Sequence, residues 1–144
     1  MKNIISPNNL FFLIFLISLT KCINEKKQLN SNLIRIEITY VDFSTLTFSR
    51  VSCNNFEKTF EKVSKKKVIT NKKEINKILS YIEDVIKQNK IVSNLDVRFK
   101  MRLIYKNGEE KIICGNGNTI KFGNKKYFIT KNFSLLLSKL IESE

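Results

Sequence analysis

The chain has no histidine, no tryptophan and no alanine, and only one proline and four glycines in 144 residues. Without an imidazole, Ser-His-Asp and Cys-His mechanisms lose their general base, and metal sites lose their commonest ligand. The few glycines form neither a Gly-x-Gly-x-x-Gly nor a Gly-Lys-Ser/Thr phosphate loop. Three cysteines occur, none of them in a Cys-x-x-Cys pair, so a zinc or thiol-redox motif is absent from the sequence. Acidic residues are scarce as well, 13 against 26 Lys plus Arg, for a formal charge of +13. The strand-associated carboxylates Asp42, Asp96, Glu109 and Glu110 have nothing around them in sequence that would shift their ionisation, so none is assigned a catalytic role. The expectation is a protein that is not an enzyme, with no cofactor and no metal.

What is present is enough for one folded domain. Hydrophobic residues make up 42% of the chain and include 11 Phe, which removes it from the class of charge-driven disordered sequences. Lys outnumbers Arg by 22 to 4, alongside 20 Ile and 17 Asn, a bias of A/T-rich codons. Much of the lysine surplus therefore reflects codon usage, and positions that hold Arg say more about a partner surface than positions that hold Lys.

The N-terminus carries an address. Met1-Lys2 and a polar stretch precede the apolar run Leu10–Leu19, ten residues long and about half of what a bilayer-spanning helix needs. A charged start followed by a short apolar region is the layout of a cleavable signal peptide. The segment Leu19-Thr20-Lys21-Cys22 resembles the lipobox of bacterial lipoprotein precursors, in which the cysteine after the apolar region is diacylated and becomes the new N-terminus. The resemblance implies a signal peptide over 1–21, lipidation at Cys22, export to the cell envelope, and a membrane held through the N-terminal lipid. Secretion without lipid is the alternative. Residues 22–32, polar and without periodicity, read as a tether, and 33–144 as a single domain.

Within that domain Ile34, Ile36, Ile38 and Tyr40 alternate with polar residues, the mark of a half-buried strand. A second run, 44–53, predicts a hairpin return with Leu46 and Phe48 inward and Thr47, Ser49, Val51 and Cys53 outward. Val68–Thr70 gives a short third strand. Asn71 to about Asn89 carries Ile75, Ile78, Leu79, Ile82, Val85 and Ile86 on one helical stripe, with Asn71 and Glu74 placed as a capping box. Then come alternating strands. Leu95–Tyr105 points Val97, Phe99, Met101, Leu103 and Tyr105 inward, and Asn107-Gly108 is read as a two-residue turn. That turn pairs Leu103 with Ile112 and Met101 with Cys114, placing Cys114 in the core. Gly115–Asn118 turns the chain again, and Gly123-Asn124, a type II′ candidate, pairs Ile120 with Tyr127. Phe133, Leu136, Leu137, Leu140 and Ile141 form a final helix capped by Thr130 or Asn132. The fold class predicted is α+β, an antiparallel sheet in the order β-β-(β)-α-β-β-β-β-α with two helices packed on one face.

Cys53 and Cys114 remain once Cys22 is set aside, an even pair in an oxidising compartment, which favours a disulfide. Strand parity opposes it, because Cys53 is counted outward and Cys114 inward; the bond then requires a bulge or a strand end near Arg50. The outward row Arg98, Lys100 and Arg102 is the stronger candidate for a partner surface, with charge protection of an edge strand as its plain counterpart. The lysine-rich stretch from Lys58 to Lys77 is the other basic feature, suited to anionic headgroups. Nucleic acid is not expected as a partner, since no aromatic stacking motif accompanies the Arg row. The functional expectation is a small, non-catalytic, lipid-anchored envelope protein that binds a protein or an anionic envelope component. An immunity or inhibitor lipoprotein that blocks a toxin or enzyme is the alternative. Oligomeric state is not legible from the sequence.

Overall fold

A computed structural model of the chain describes residues 32–142. The expected signal peptide (1–21), Cys22 and all of the expected tether but Asn32 lie outside the described residues.

The fold is α+β, a six-stranded antiparallel sheet with two long helices on one face. The strands are β1 (Leu33–Tyr40), β2 (Lys65–Ile69), β3 (Phe99–Tyr105), β4 (Glu110–Gly115), β5 (Thr119–Phe122) and β6 (Lys125–Phe128), in the spatial order β2-β1-β3-β4-β5-β6. A one-turn helix α1 (Phe56–Thr59) precedes β2, α2 (Lys72–Gln88) joins β2 to β3, and α3 (Lys131–Glu142) closes the chain. β3 to β6 form the expected meander, whereas β1 takes β2 and β3 as neighbours on its two sides.

The main core is set by sheet alternation. Cross-strand rows place Ile36, Leu103 and Ile69 together, then Ile38, Met101 and Ile113, then Tyr40, Phe99, Gly115, Ile120 and Tyr127. All of them, Gly115 included, are buried. Side chains paired across strands point to the same face, so these rows form one apolar surface. Against it lie Ile75, Ile78, Leu79, Ile82 and Val85 of α2 and Phe133, Leu137 and Leu140 of α3, also buried. Tyr81 of α2 stacks on Phe133 of α3 with ring centroids 5.9 Å apart.

Caps fix the two helices. The Asn71 side chain accepts from the backbone N–H groups of Lys73 and Glu74, and Asn89 ends α2 in the left-handed conformation at φ 50°. For α3 the cap is Thr130, whose hydroxyl accepts from Phe133 N. Gly115 is a packing requirement more than a turn residue. A Cβ there would stand 2.8 Å from Phe99 Cζ and 2.5 Å from the Thr119 carbonyl oxygen.

Three register expectations are corrected. First, residues 44–53 form no strand; the partner of β1 on that side is β2, some twenty residues later, and Leu46 and Phe48 point to solvent. Asp42 accepts from both the backbone N–H and the hydroxyl of Ser44, a turn that sends the chain off the sheet at the end of β1. Second, Ile34 is not inward: a bulge between Leu33 and Arg35 buries Leu33 and leaves Ile34 half-exposed. Third, the hairpin between β3 and β4 has a three-residue loop, Lys106-Asn107-Gly108. Gly108 N donates to the Tyr105 carbonyl, Tyr105 N donates to the Glu109 carbonyl, and only Gly108 has positive φ, at 81°. A type I turn followed by a left-handed glycine adds one residue to the connection and shifts the pairing by one. Met101 therefore faces Ile113, and Cys114 faces Lys100 on the other side of the sheet. The Gly123-Asn124 hairpin keeps its predicted register, Ile120 opposite Tyr127, with Gly123 at φ 58° and Asn124 not positive.

Candidate functional site

The face of the sheet turned away from the two long helices carries the polar halves of β1, β3 and β4 and is covered at one end by the segment between β1 and β2. Val41, Val51, Phe56, Phe60, Val97 and Cys114 bury one another there, with Cys53 and Leu95 packed alongside. Cys53 and Cys114 are joined by a disulfide, Cα to Cα 5.7 Å, which ties the covering segment to β4. The parity objection disappears because both of its premises do: Cys53 lies on no strand, and the one-residue register shift brings Cys114 to the covered face.

The basic row predicted as a partner surface is occupied from within. Arg98 is only 7% exposed. Its two terminal nitrogens donate to the two oxygens of Asp96, both at 2.8 Å, and also to the Val97 carbonyl and the Thr47 hydroxyl. The guanidinium lies 5.6 Å from the centroid of the Phe60 ring, so the flat cation is sandwiched among a carboxylate, a hydroxyl and an aromatic face. Lys100 pairs with Glu57 of α1 at 3.0 Å. Arg102 pairs with Glu110 at 2.7 Å and with Glu37 at 3.1 Å, and Glu37 also meets Arg35 at 2.9 Å. The Glu110 hydrogen bonds hold the Arg102 guanidinium more firmly protonated than usual. Nor is this an edge: β3 sits between β1 and β4. The three residues share a region, yet each closes an internal contact.

What projects outward instead is the segment 44–50. Phe43, Thr45 and Thr47 turn in and are half-buried, whereas Ser49 is exposed. The Phe43 ring lies 6.4 Å from Phe99, and Thr47 accepts from Arg98 while donating to the Ser49 carbonyl. Val51 N donates to Asp96, and Val97 N donates back to the Val51 carbonyl. With Thr47 and Val51 pinned this way, alternation leaves Leu46 94% exposed and Phe48 fully exposed. The segment reads in sequence as a half-buried strand with Leu46 and Phe48 inward and Val51 outward; the structure reverses both, with Val51 buried. The signal that could have corrected this is the absence of acidic residues from Phe43 to Phe56 together with the hydroxyls that separate Leu46 and Phe48.

Positive charge gathers beside this loop. Leu46, Phe48 and Arg50 line a groove with Asn55, Thr59, Phe60 and Val63. Lys58 and Lys62 flank those residues in sequence, and Lys65 and Lys66 open β2 just beyond. Among the described residues no carboxylate pairs with Arg50, Lys58, Lys62 or Lys66, and all four are exposed.

A neighbouring cavity of about 470 Å³ is lined by Tyr40, Asp42, Phe43, Thr45 and Lys65 among others. Its only carboxylate, Asp42, is held below the ordinary range by the two Ser44 hydrogen bonds and, more weakly, by Lys65. A carboxylate so stabilised stays ionised at neutral pH and is a poor proton donor. Among the described residues no group of three or more His, Cys, Asp or Glu is placed to hold a metal ion, and no helix is long and apolar enough to cross a membrane. Comparison with protein-family models, with curated proteins and with solved structures finds no match to this chain.

Proposed function

We propose that this protein is a small, non-catalytic binding module of the cell envelope, anchored by lipid at Cys22. The anchor reading rests on the sequence Leu19-Thr20-Lys21-Cys22 behind a ten-residue apolar run. The binding reading rests on one observation, the loop that holds Leu46 and Phe48 in water. A Phe and a Leu left in solvent forgo about 4 kcal/mol of burial between them, and the hydrogen bonds at Thr47 and Val51 keep them there. A contact surface gains from such an arrangement because the ordering cost is met before the partner arrives.

The anchor is tested by growing the host with an alkyne fatty acid and expressing wild type and Cys22→Ser. Label in the wild type and none in the variant is expected, with the wild type in the membrane fraction. An unlabelled wild type, or a mature N-terminus other than Cys22, overturns the anchor. The binding module is tested by a photo-crosslinking residue at position 48, which should give an adduct that the same residue at position 91 does not.

A further inference from the structure

We infer that the loop 44–50 is a membrane-interface wedge: Leu46 and Phe48 enter the headgroup region of an anionic bilayer while Arg50, Lys58, Lys62 and Lys66 contact its phosphates. This deepens the binding reading above and rests on it for the class of module.

Three features select a lipid surface over a protein pocket. The apolar residues are convex: they stand out from the loop, and the groove beside them is shallow and lined by exposed Asn55 and Thr59. Convex apolar side chains ringed by cations match an interface that deforms around them and is negatively charged. The charge is one-sided. From Phe43 to Val68 there are six Lys and Arg and two acids, and one of those acids, Glu57, is already taken by Lys100. Each cation brought to an anionic leaflet raises affinity by about fivefold, so four free ones are enough to hold a loop that two side chains alone would hold weakly.

Reach is the third. The tether would enter at Leu33 and the loop begins past Tyr40, the far end of β1, roughly 25 Å on at strand rise. Ten residues, 23–32, separate Cys22 from Leu33, and fully extended they reach about 35 Å. A lipid at Cys22 thus leaves enough chain for the domain to lie down and bring the loop to the same leaflet.

Rigidity is provided from below. Arg98 is the positioning residue: it touches Thr47, orders Asp96 to receive Val51, and touches neither apolar side chain in any bond given above.

The absence of tryptophan supplies the experiment. Phe48→Trp makes the loop tip the sole indole of the full acylated chain, isolated from its host and incorporated into vesicles. Ile91→Trp, exposed beside β6, is the reference. In vesicles containing brominated phosphatidylglycerol, the indole at 48 should shift to the blue and lose roughly half its emission, with the indole at 91 unchanged. Arg50→Gln with Lys62→Gln, or vesicles in which brominated phosphatidylcholine replaces all of the phosphatidylglycerol, should reduce the quenching. An indole at 48 as unquenched as that at 91, on protein that floats with the vesicles, overturns the wedge and gives the loop to a protein partner. Acyl labelling separates the two readings. A chain without label whose indole at 48 is still quenched retains the wedge and loses the anchor.

Discussion

The two faces of the sheet are built on different physics. On the helix face the apolar rows of β1, β3, β4 and β5 meet the stripes of α2 and α3, and Lys67 of β2 adds a hydrogen bond to the Leu140 carbonyl. Among the described residues no third long helix covers the opposite face. A loop and one helical turn cover it, held by a disulfide, the Arg98–Asp96 pair and the Lys100–Glu57 pair. The packed face derives its stability from area, while the covered face adds to a small apolar cluster a few identifiable bonds that substitution can remove.

That contrast is broken most strongly at the disulfide. Closing a 61-residue separation stabilises the fold by about 4 kcal/mol in the chain-entropy model, so Cys53→Ser with Cys114→Ser should lower the denaturant midpoint by that equivalent. Hydrogen exchange should then show amides of 41–64 unprotected while the β3 and β4 ladder stays protected. Leu79→Ala, on the packed face, should cost about 3 kcal/mol, and its lost protection should be spread over sheet and helices alike. Arg98→Gln comes next. Asp96 keeps some solvent, which places the loss near 2 kcal/mol, below that for a fully buried pair. Its particular signature is fast exchange at Val51 and cleavage of the loop by protease before global unfolding.

The smallest effect is at Asp42. Its folded-state ionisation lies below the ordinary carboxylate range because of Ser44, so its contribution is complete above the unfolded value and lost as pH falls through the depressed folded one. Asp42→Asn should leave stability at pH 7 nearly as in wild type and flatten the acid limb of its pH dependence, read by thermal melts between pH 2 and pH 6 (roughly the carboxylate window).

The same contrast decides what the sequence discloses. Helix stripes, Asn71 and Thr130 as caps, the meander and the Gly123-Asn124 hairpin follow from local periodicity and turn chemistry, and the packed face is legible for that reason. The covered face is not. Alternation in 44–53 shows that Leu46 and Phe48 share a side, not whether that side meets protein or water. One left-handed glycine, Gly108, moved every β4 residue to the opposite face, Cys114 included. The row Arg98, Lys100 and Arg102 was recognisable as a unit, but its acids, Glu57 and Glu110 among them, come from separate elements, and only the tertiary fold brings them into range.

One edge of the sheet is already dressed: Val92 N donates to the Lys126 carbonyl and Phe128 N donates to the Lys90 carbonyl, so the 90–92 stretch runs along β6. No described strand runs along the outer side of β2, whose residues are Lys-Lys-Lys-Val-Ile. Two copies meeting there, in either direction, would crowd six ammonium groups onto strands about 17 Å long. This charge keeps copies of the chain from pairing edge to edge at β2 and favours an acidic strand over a basic one as any guest there.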